Sequence, residues 1–378
     1  MVNKSTLLEL VSNNETPLIV IDHEVIRENF KKFCEELPYI KPYYAIKANP
    51  EPEIVNTLYK MGSGFDVASW EEFMIVYNVI KGNNEEKRHF MNENVIYANP
   101  VKRISSLKNL NNYLIQMTLD NYTEVEKIAK YCKNSKLLLR IDVPNTGSVV
   151  ELSTKFGAPF EICIDLIKYA NKKGFNIDGL SFHVGSQCSN FNNYIEAFKR
   201  ANKIFEQSKQ IGNKLKILDV GGGFPVPYDP QVPEFKELTK IFNTYIKLYF
   251  NDPEISVIAE PGRFLVATSA TTIVEINGKA TRNNKIYYYV NDGIYNTFSG
   301  VLFDHIQYHF KAFKEGKILD CAVVGPTCDA LDKISLDEKL PDLEIEDLLY
   351  SENTGAYTNA STTHFNGFPP AKILHINT

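Results

Sequence analysis

Between residues 43 and 260, eight short apolar runs alternate with longer segments whose apolar residues recur every three or four positions. The runs are YYAI (43–46), GFDVA (64–68), VIYA (95–98), MTLD (117–120), LLLRI (137–141), GLSFHV (179–184), KILDV (216–220) and VIAE (257–260). Stretches such as EPEIVNTLYKMG, NYTEVEKIAKYC and NNYIEAFKRANKIFEQSKQI lie between them with the helical period. Few architectures accept this alternation, because each helical crossover returns the next strand parallel to the last. Eight units predict an α/β fold with a closed (β/α)₈ barrel over residues 23–258. An open doubly wound sheet is the alternative.

After residue 260 the pattern changes. TTIVEING, KIYYYVND, LDCAVVGP, EIEDLLYS and AKILHIN read as strands joined by turns, which predicts a C-terminal antiparallel β domain over 259–378. The N-terminal PLIVIDHE (17–24) reads as one more strand. Residues 1–22 are expected to join that domain, since chain termini often lie together.

A formal net charge of -5 and scattered lysines argue against a nucleic-acid partner. No apolar stretch reaches the roughly 20 residues that span a bilayer, so no membrane partner is expected. The N-terminus MVNKSTLLELVSNNETP has no apolar core of the secretory kind, and a cytoplasmic location is expected. Cys34, Cys132, Cys163, Cys188, Cys321 and Cys328 form no CxxC pair and no metal-ligand spacing. Free thiols and no metal are the expectation.

A barrel carries its chemistry where its strands end. Lys47 ends the first predicted strand, Asp66 lies near the end of the second, and Arg140 is late in the fifth. His183 closes the sixth, the glycines 221–223 follow the seventh, and EPGR (260–263) follows the eighth. Each has an ordinary explanation: a surface lysine, an ion-pair partner, a core histidine, a tight turn. Gathered on one rim, they describe a pocket. Gly221, Gly222 and Gly223 let backbone N–H groups approach a phosphate, with Ser186 and Arg263 adding a hydroxyl and a guanidinium. A lysine amine, a flat imidazole and the Glu260 carboxylate complete a set that suits pyridoxal phosphate.

At these motifs the chain resembles the barrel-type, pyridoxal-phosphate-dependent decarboxylases of basic amino acids, typified by ornithine decarboxylases. The likeness rests on YYAIKAN, GFDVAS, IYANPVK, LLLRI, KFGA, SFHVGS, LDVGGGFP and AEPGRF. It continues through YYVNDGIY, FDH, GPTCDALD, GAYT and FNGF. It implies an alanine-racemase-like pair of domains, with the β domain supplying substrate and dimer contacts. It also implies roles. Lys47 would be bonded to the cofactor's aldehyde, with Asp66 and Glu72 nearby and Arg140 and His183 framing the ring. Glu260 would face the pyridine nitrogen. Ser186, Gly223, Gly262, Arg263 and Tyr357 would hold the phosphate. Cys328 would return a proton to the substrate carbon in the partner chain's pocket. Asp304 and Asp329 would take the distal amine, beside Phe303, Tyr295 and Phe365. Lys155 and Asp332 would bridge the two chains of a homodimer.

The resemblance implies decarboxylation of L-ornithine to putrescine in polyamine biosynthesis, with lysine as an alternative substrate. Three departures bear on that choice: Phe303 replaces a usual tyrosine, YNTFSG (295–300) a YGSFNC-like stretch, and Ala330 a glycine. Diaminopimelate decarboxylases share the barrel motifs but usually carry CES where this chain has TCDAL. Related arginine decarboxylases tend to have glutamate at the position of Asp304. A non-catalytic regulatory homologue is the remaining alternative.

Overall fold

The computed structural model describes residues 2–148, 155–228 and 232–378. Its chain divides into two compact units, one of residues 30–262 and one of residues 1–29 with 263–378. After strand β1 (Leu18–Asp22), the first unit runs through β2 (Ile40–Ala45), β3 (Gly64–Val67), β4 (Val95–Tyr97) and β5 (Gln116–Leu119). It continues with β6 (Lys136–Arg140), β7 (Ile177–Ser181), β8 (Ile217–Asp219) and β9 (Ser256–Ala259). The eight strands β2 to β9 close in order, every pairing is parallel, and the barrel is sealed by Ile40 of β2 opposite Val257 of β9. The closed barrel, not the open sheet, is therefore the fold. Each apolar run of the sequence supplies one stave.

The intervening helices form because their apolar residues share one face. Helix Asn192–Gln210 buries Tyr194, Ala197, Phe198, Ala201, Ile204 and Phe205, each with another of the set three or four positions away on the same face. Helix Phe235–Tyr249 answers with Leu238, Phe242 and Ile246, and Phe198 meets Phe242 edge-on at 5.3 Å. Side-chain caps set where helices begin: Ser69 accepts from the Glu72 N–H, and Asn121 from the Glu124 N–H. No helix among the described residues is long and apolar enough to cross a membrane.

The other unit is built on a sheet of β10 (Ala270–Arg282), β11 (Lys285–Val290), β12 (Lys311–Ala312), β13 (Ile318–Val324), β14 (Lys333–Pro341), β15 (Leu348–Glu352) and β16 (Lys372–Ile376). Its path is β12-β15-β10-β11-β13-β14, with β1 joining β10 and β16. Most pairings are antiparallel, as expected of that domain; β1 with β16 and β11 with β13 are parallel. The N-terminal strand thus enters the same sheet as the C-terminal one, Leu18 lying opposite Ile273 on one side and Lys372 on the other.

Candidate active site

Strand β2 is followed by a single 3-10 turn, Ile46–Ala48, in which Ile46 and Ala48 are buried and Lys47 is half-buried. Lys47 Nζ is ion-paired with Asp66. Pairing of β2 with β3 sets Ala45 opposite Asp66, which delivers the carboxylate to that turn. Asp66 is 1% exposed and its Oδ1 accepts no bond, an arrangement that leaves one buried acceptor in need of a donor. Glu72 takes the Ala68 N–H at 2.6 Å, and burial raises its carboxyl above the usual range, with Asp66 adding to the shift.

Arg140 closes β6 and lies over the Phe156 ring at 5.1 Å. Burial lowers its pKa, opposed by the charges of Glu260, Asp120, Asp219 and Asp66. His183, beyond the end of β7, accepts the Gly185 N–H on Nδ1 at 3.0 Å. Burial first, then the Arg140 and Lys47 cations, push that imidazole well below its ordinary pKa. A neutral, flat ring with its own proton on Nε2 is the result.

The glycine run follows β8 and is dictated by close packing. Gly221 has φ +66° and a Cβ there would meet Phe182 O at 2.1 Å; at Gly223, with φ +95°, it would meet Gly185 O at 2.3 Å. At Gly222 a Cβ would stand 3.0 Å from His183 Nε2, so the run also keeps space beside the imidazole. Gly262 lies against Ala48, its hypothetical Cβ 3.0 Å from that methyl. Ser186 is half-buried on the same rim.

Glu260 and Asp219 form a buried, hydrogen-bonded carboxyl pair. Glu260 is buried, its Oε1 accepts no bond, and burial followed by the Asp219 and Asp66 charges raises its pKa well above the carboxylate range. Asp219 is fully buried and accepts the Gly221 N–H at 2.9 Å; burial pushes its carboxyl up to about 6. Sequence reasoning missed Asp219. Its only signal was a polar residue within the apolar run KILDV, two positions before the first glycine.

In the sheet unit, Arg263 Nη2 donates to Asp304 Oδ2 at 2.6 Å, and the guanidinium lies 4.7 Å from the Tyr357 ring centre. The structure therefore brings together two residues expected at the phosphate and one expected at the distal amine. A second group surrounds GPTCDALD. Cys328 is exposed, and its N–H donates to Asn366 Oδ1 at 3.1 Å. The Tyr295 hydroxyl donates to Asp329, whose other oxygen takes the Leu331 N–H at 2.9 Å; that backbone bond, then the Tyr295 bond, lower the Asp329 pKa. Tyr295 stacks on Phe365 at 4.3 Å. Phe303 is 66% exposed.

Asp332, expected with Lys155 to bridge two chains, is buried within its own chain. Its carboxylate accepts the Ile294 and Thr327 N–H groups at 2.9 and 3.1 Å, tying the GPTCDALD loop to the loop that carries Tyr295. Lys155 is exposed, with its amine over the Phe156 ring at 5.0 Å. Among the described residues, no sequence signal marked Asn366 as a partner of Cys328.

The family model described as "Pyridoxal-dependent decarboxylase, pyridoxal binding domain" matches residues 23–267. Antizyme inhibitor 2 of Xenopus laevis is 35% identical over 93% of this chain and 78% of its own length. Ornithine decarboxylase of Mus musculus is 34% identical over 97% of this chain and 81% of its own. The solved lysine/ornithine decarboxylase of Vibrio vulnificus, complexed with cadaverine, is 33% identical with a TM-score of 0.91 and covers 100% of both chains.

Proposed function

The chain belongs to the pyridoxal-dependent decarboxylases of basic amino acids, and on that premise we propose that it converts L-ornithine to putrescine and carbon dioxide, with lysine as a second substrate. The observation that carries the reading is Glu260: a buried carboxyl with an oxygen that accepts no bond, directly after β9, the strand paired with the β2 that leads to Lys47. The fit to pyridoxal phosphate is chemical. A pyridinium N–H is the donor Glu260 Oε1 lacks, and its charge would draw the raised carboxyl back to the ionised form. His183 offers a neutral flat face, and the space beside Gly222 keeps that face open. Bound there, pyridoxal phosphate supplies an electron-accepting ring for the pair left when a carboxylate departs as carbon dioxide.

The residues then have these tasks. Lys47 would anchor the cofactor by its aldehyde, and its amine, ion-paired with Asp66, would hold a proton there. Asp66, Asp219 and Glu260 balance Lys47, Arg140 and the ring nitrogen, so that the charge on the nitrogen is maintained without bulk water. Ser186, the glycines 221–223, Gly262, Arg263 and Tyr357 are assigned to the phosphate. Asp329, kept ionised by its Leu331 and Tyr295 donors, is assigned to the distal ammonium. Phe365 and Phe303 supply apolar contact for the substrate's methylenes. Cys328 is assigned to protonating the substrate carbon.

Homodimerisation is part of the proposal. Leu302, Phe303, Leu331 and Phe365 are large apolar side chains exposed beside Asp304, Cys328 and Asp329, and a second copy of the chain would cover them. The likeness to an antizyme inhibitor favours a second reading, a regulatory homologue without catalysis. Retention of Lys47, Asp66, Glu260, Arg263 and Cys328 speaks for catalysis.

Incubating the purified protein with ornithine, lysine, arginine and diaminopimelate together, plus pyridoxal phosphate, tests the reading. Putrescine is expected as the main product with less cadaverine, and none from Lys47→Ala. No carbon dioxide from any substrate would establish the regulatory reading. Agmatine or lysine from diaminopimelate as the main product would replace ornithine.

A further inference from the structure

The adduct this site is proposed to bind carries opposite charges at its ends: a phosphate dianion at one and a distal ammonium at the other. Arg263 was expected at the first and Asp304 at the second, yet the two are bonded to each other at 2.6 Å with side chains only 5% and 11% exposed. A pair so shielded from water is poorly screened by salt, so each charge strongly sets the other's availability. The backbone holds both in place. Arg263 begins the turn Arg263–Val266 and rests on Tyr357. Asp304 ends the turn Gly300–Phe303, its N–H bonded to Gly300 O at 3.0 Å, and His305 at φ +51° stops the turn there.

We propose that the Arg263–Asp304 ion pair couples binding of the cofactor's phosphate to recognition of the distal ammonium, each ligand strengthening the other. The argument rests on the pyridoxal-phosphate reading above. With no phosphate present, the guanidinium neutralises Asp304 and an ammonium gains little by approaching that carboxylate. A phosphate dianion shares the guanidinium, and the Asp304 charge becomes available. The order ammonium, Asp304, Arg263, phosphate alternates in sign, so the coupling is positive, and linkage makes it the same in both directions. Among the described residues Asp329 is bonded by Tyr295 and Leu331 rather than by an arginine, and it attracts an ammonium whether or not phosphate is bound.

The test uses the full chain freed of cofactor and titrated calorimetrically with putrescine. One series contains saturating pyridoxamine phosphate, which has no aldehyde to condense with the diamine; the other contains pyridoxamine, which lacks the phosphate. The wild-type chain is expected to bind putrescine about five-fold or more tighter in the phosphate series, the lower range of inter-site coupling. Asp304→Asn keeps the side-chain shape and is expected to bind putrescine equally in both series. Asp329→Asn is expected to bind more weakly in both and keep the wild-type ratio. Equal wild-type affinities, or an undiminished ratio in Asp304→Asn, would overturn the coupling while leaving the cofactor reading intact. Failure of pyridoxamine phosphate itself to bind, followed by its fluorescence, would overturn the cofactor reading and the coupling with it.

Discussion

Asp332→Ala isolates the contact that holds the proposed substrate loop. The Asp332 carboxylate sits where no other side chain fits, since a Cβ on Gly293 or Gly325 would come within 2.3 or 2.2 Å of its Oδ1. It accepts two backbone N–H groups, from Ile294 and Thr327, at 3% residue exposure. A hydrogen bond to a charged group contributes about 1.5–3 kcal/mol, and a buried donor left bare costs a comparable amount. The two bonds share one carboxylate, so their losses overlap and the sum is about 2–4 kcal/mol. Native-state hydrogen exchange reads this locally. Protection at the Ile294 and Thr327 amides should fall by about 30- to 1000-fold, at one decade per 1.4 kcal/mol. Barrel amides such as those of Leu138 and Leu139 should not change. Because the loop also carries Cys328 and Asp329, KM for ornithine should rise and kcat fall in the same variant. Protection at both amides within three-fold of wild type would refute the reasoning, for it would mean that the loop is held by other contacts.

Asp219 is a buried carboxyl raised from 3.8 to about 6, so the folded barrel binds the proton more tightly than the unfolded chain does. Stability of the cofactor-free protein from this group is therefore lost as pH rises from about 4 to about 6, by no more than about 3 kcal/mol. Asp219→Asn should stabilise that form more at pH 8 than at pH 5 in denaturant titrations; equal gains would mean that Asp219 is not held protonated by its surroundings. For the proposed shared sites, mixing inactive Lys47→Ala and Cys328→Ala chains should restore about a quarter of full activity, because half the chains enter mixed dimers with one intact pocket. If mass spectrometry shows mixed dimers and no activity returns, each pocket is built from a single chain.

Glu260, Lys47 and the glycine run were legible because a barrel places strand ends on one rim whatever the residue spacing between them. The eight staves were legible for a related reason: strands buried on both faces are written as unbroken apolar runs such as LLLRI and VIAE. Two strands of the sheet unit were not. β12 has only the residues Lys311 and Ala312, too short for any period to show. β14, KISLDEKLP, exposes Lys333, Asp337 and Lys339 while burying Ile334, Glu338 and Leu340, and its register shifts against β13. An edge strand with solvated charges and an interrupted alternation reads as a loop until its partner is in place.

The amino-acid sequence by itself determined the strand–helix alternation, the glycines that tight packing demands, and the chemical kinds of group available at each strand end. These follow from short-range rules of periodicity and backbone sterics. Tertiary structure alone decided which charges meet. Asp219 gains its raised pKa only when barrel closure buries it beside Glu260, 41 positions on. Arg263 finds Asp304 across 41 positions, and Cys328 finds Asn366 across 38, through sheet connections that no local pattern encodes. Electrostatic energy depends on distance and on the exclusion of water, and neither quantity exists until the chain has folded.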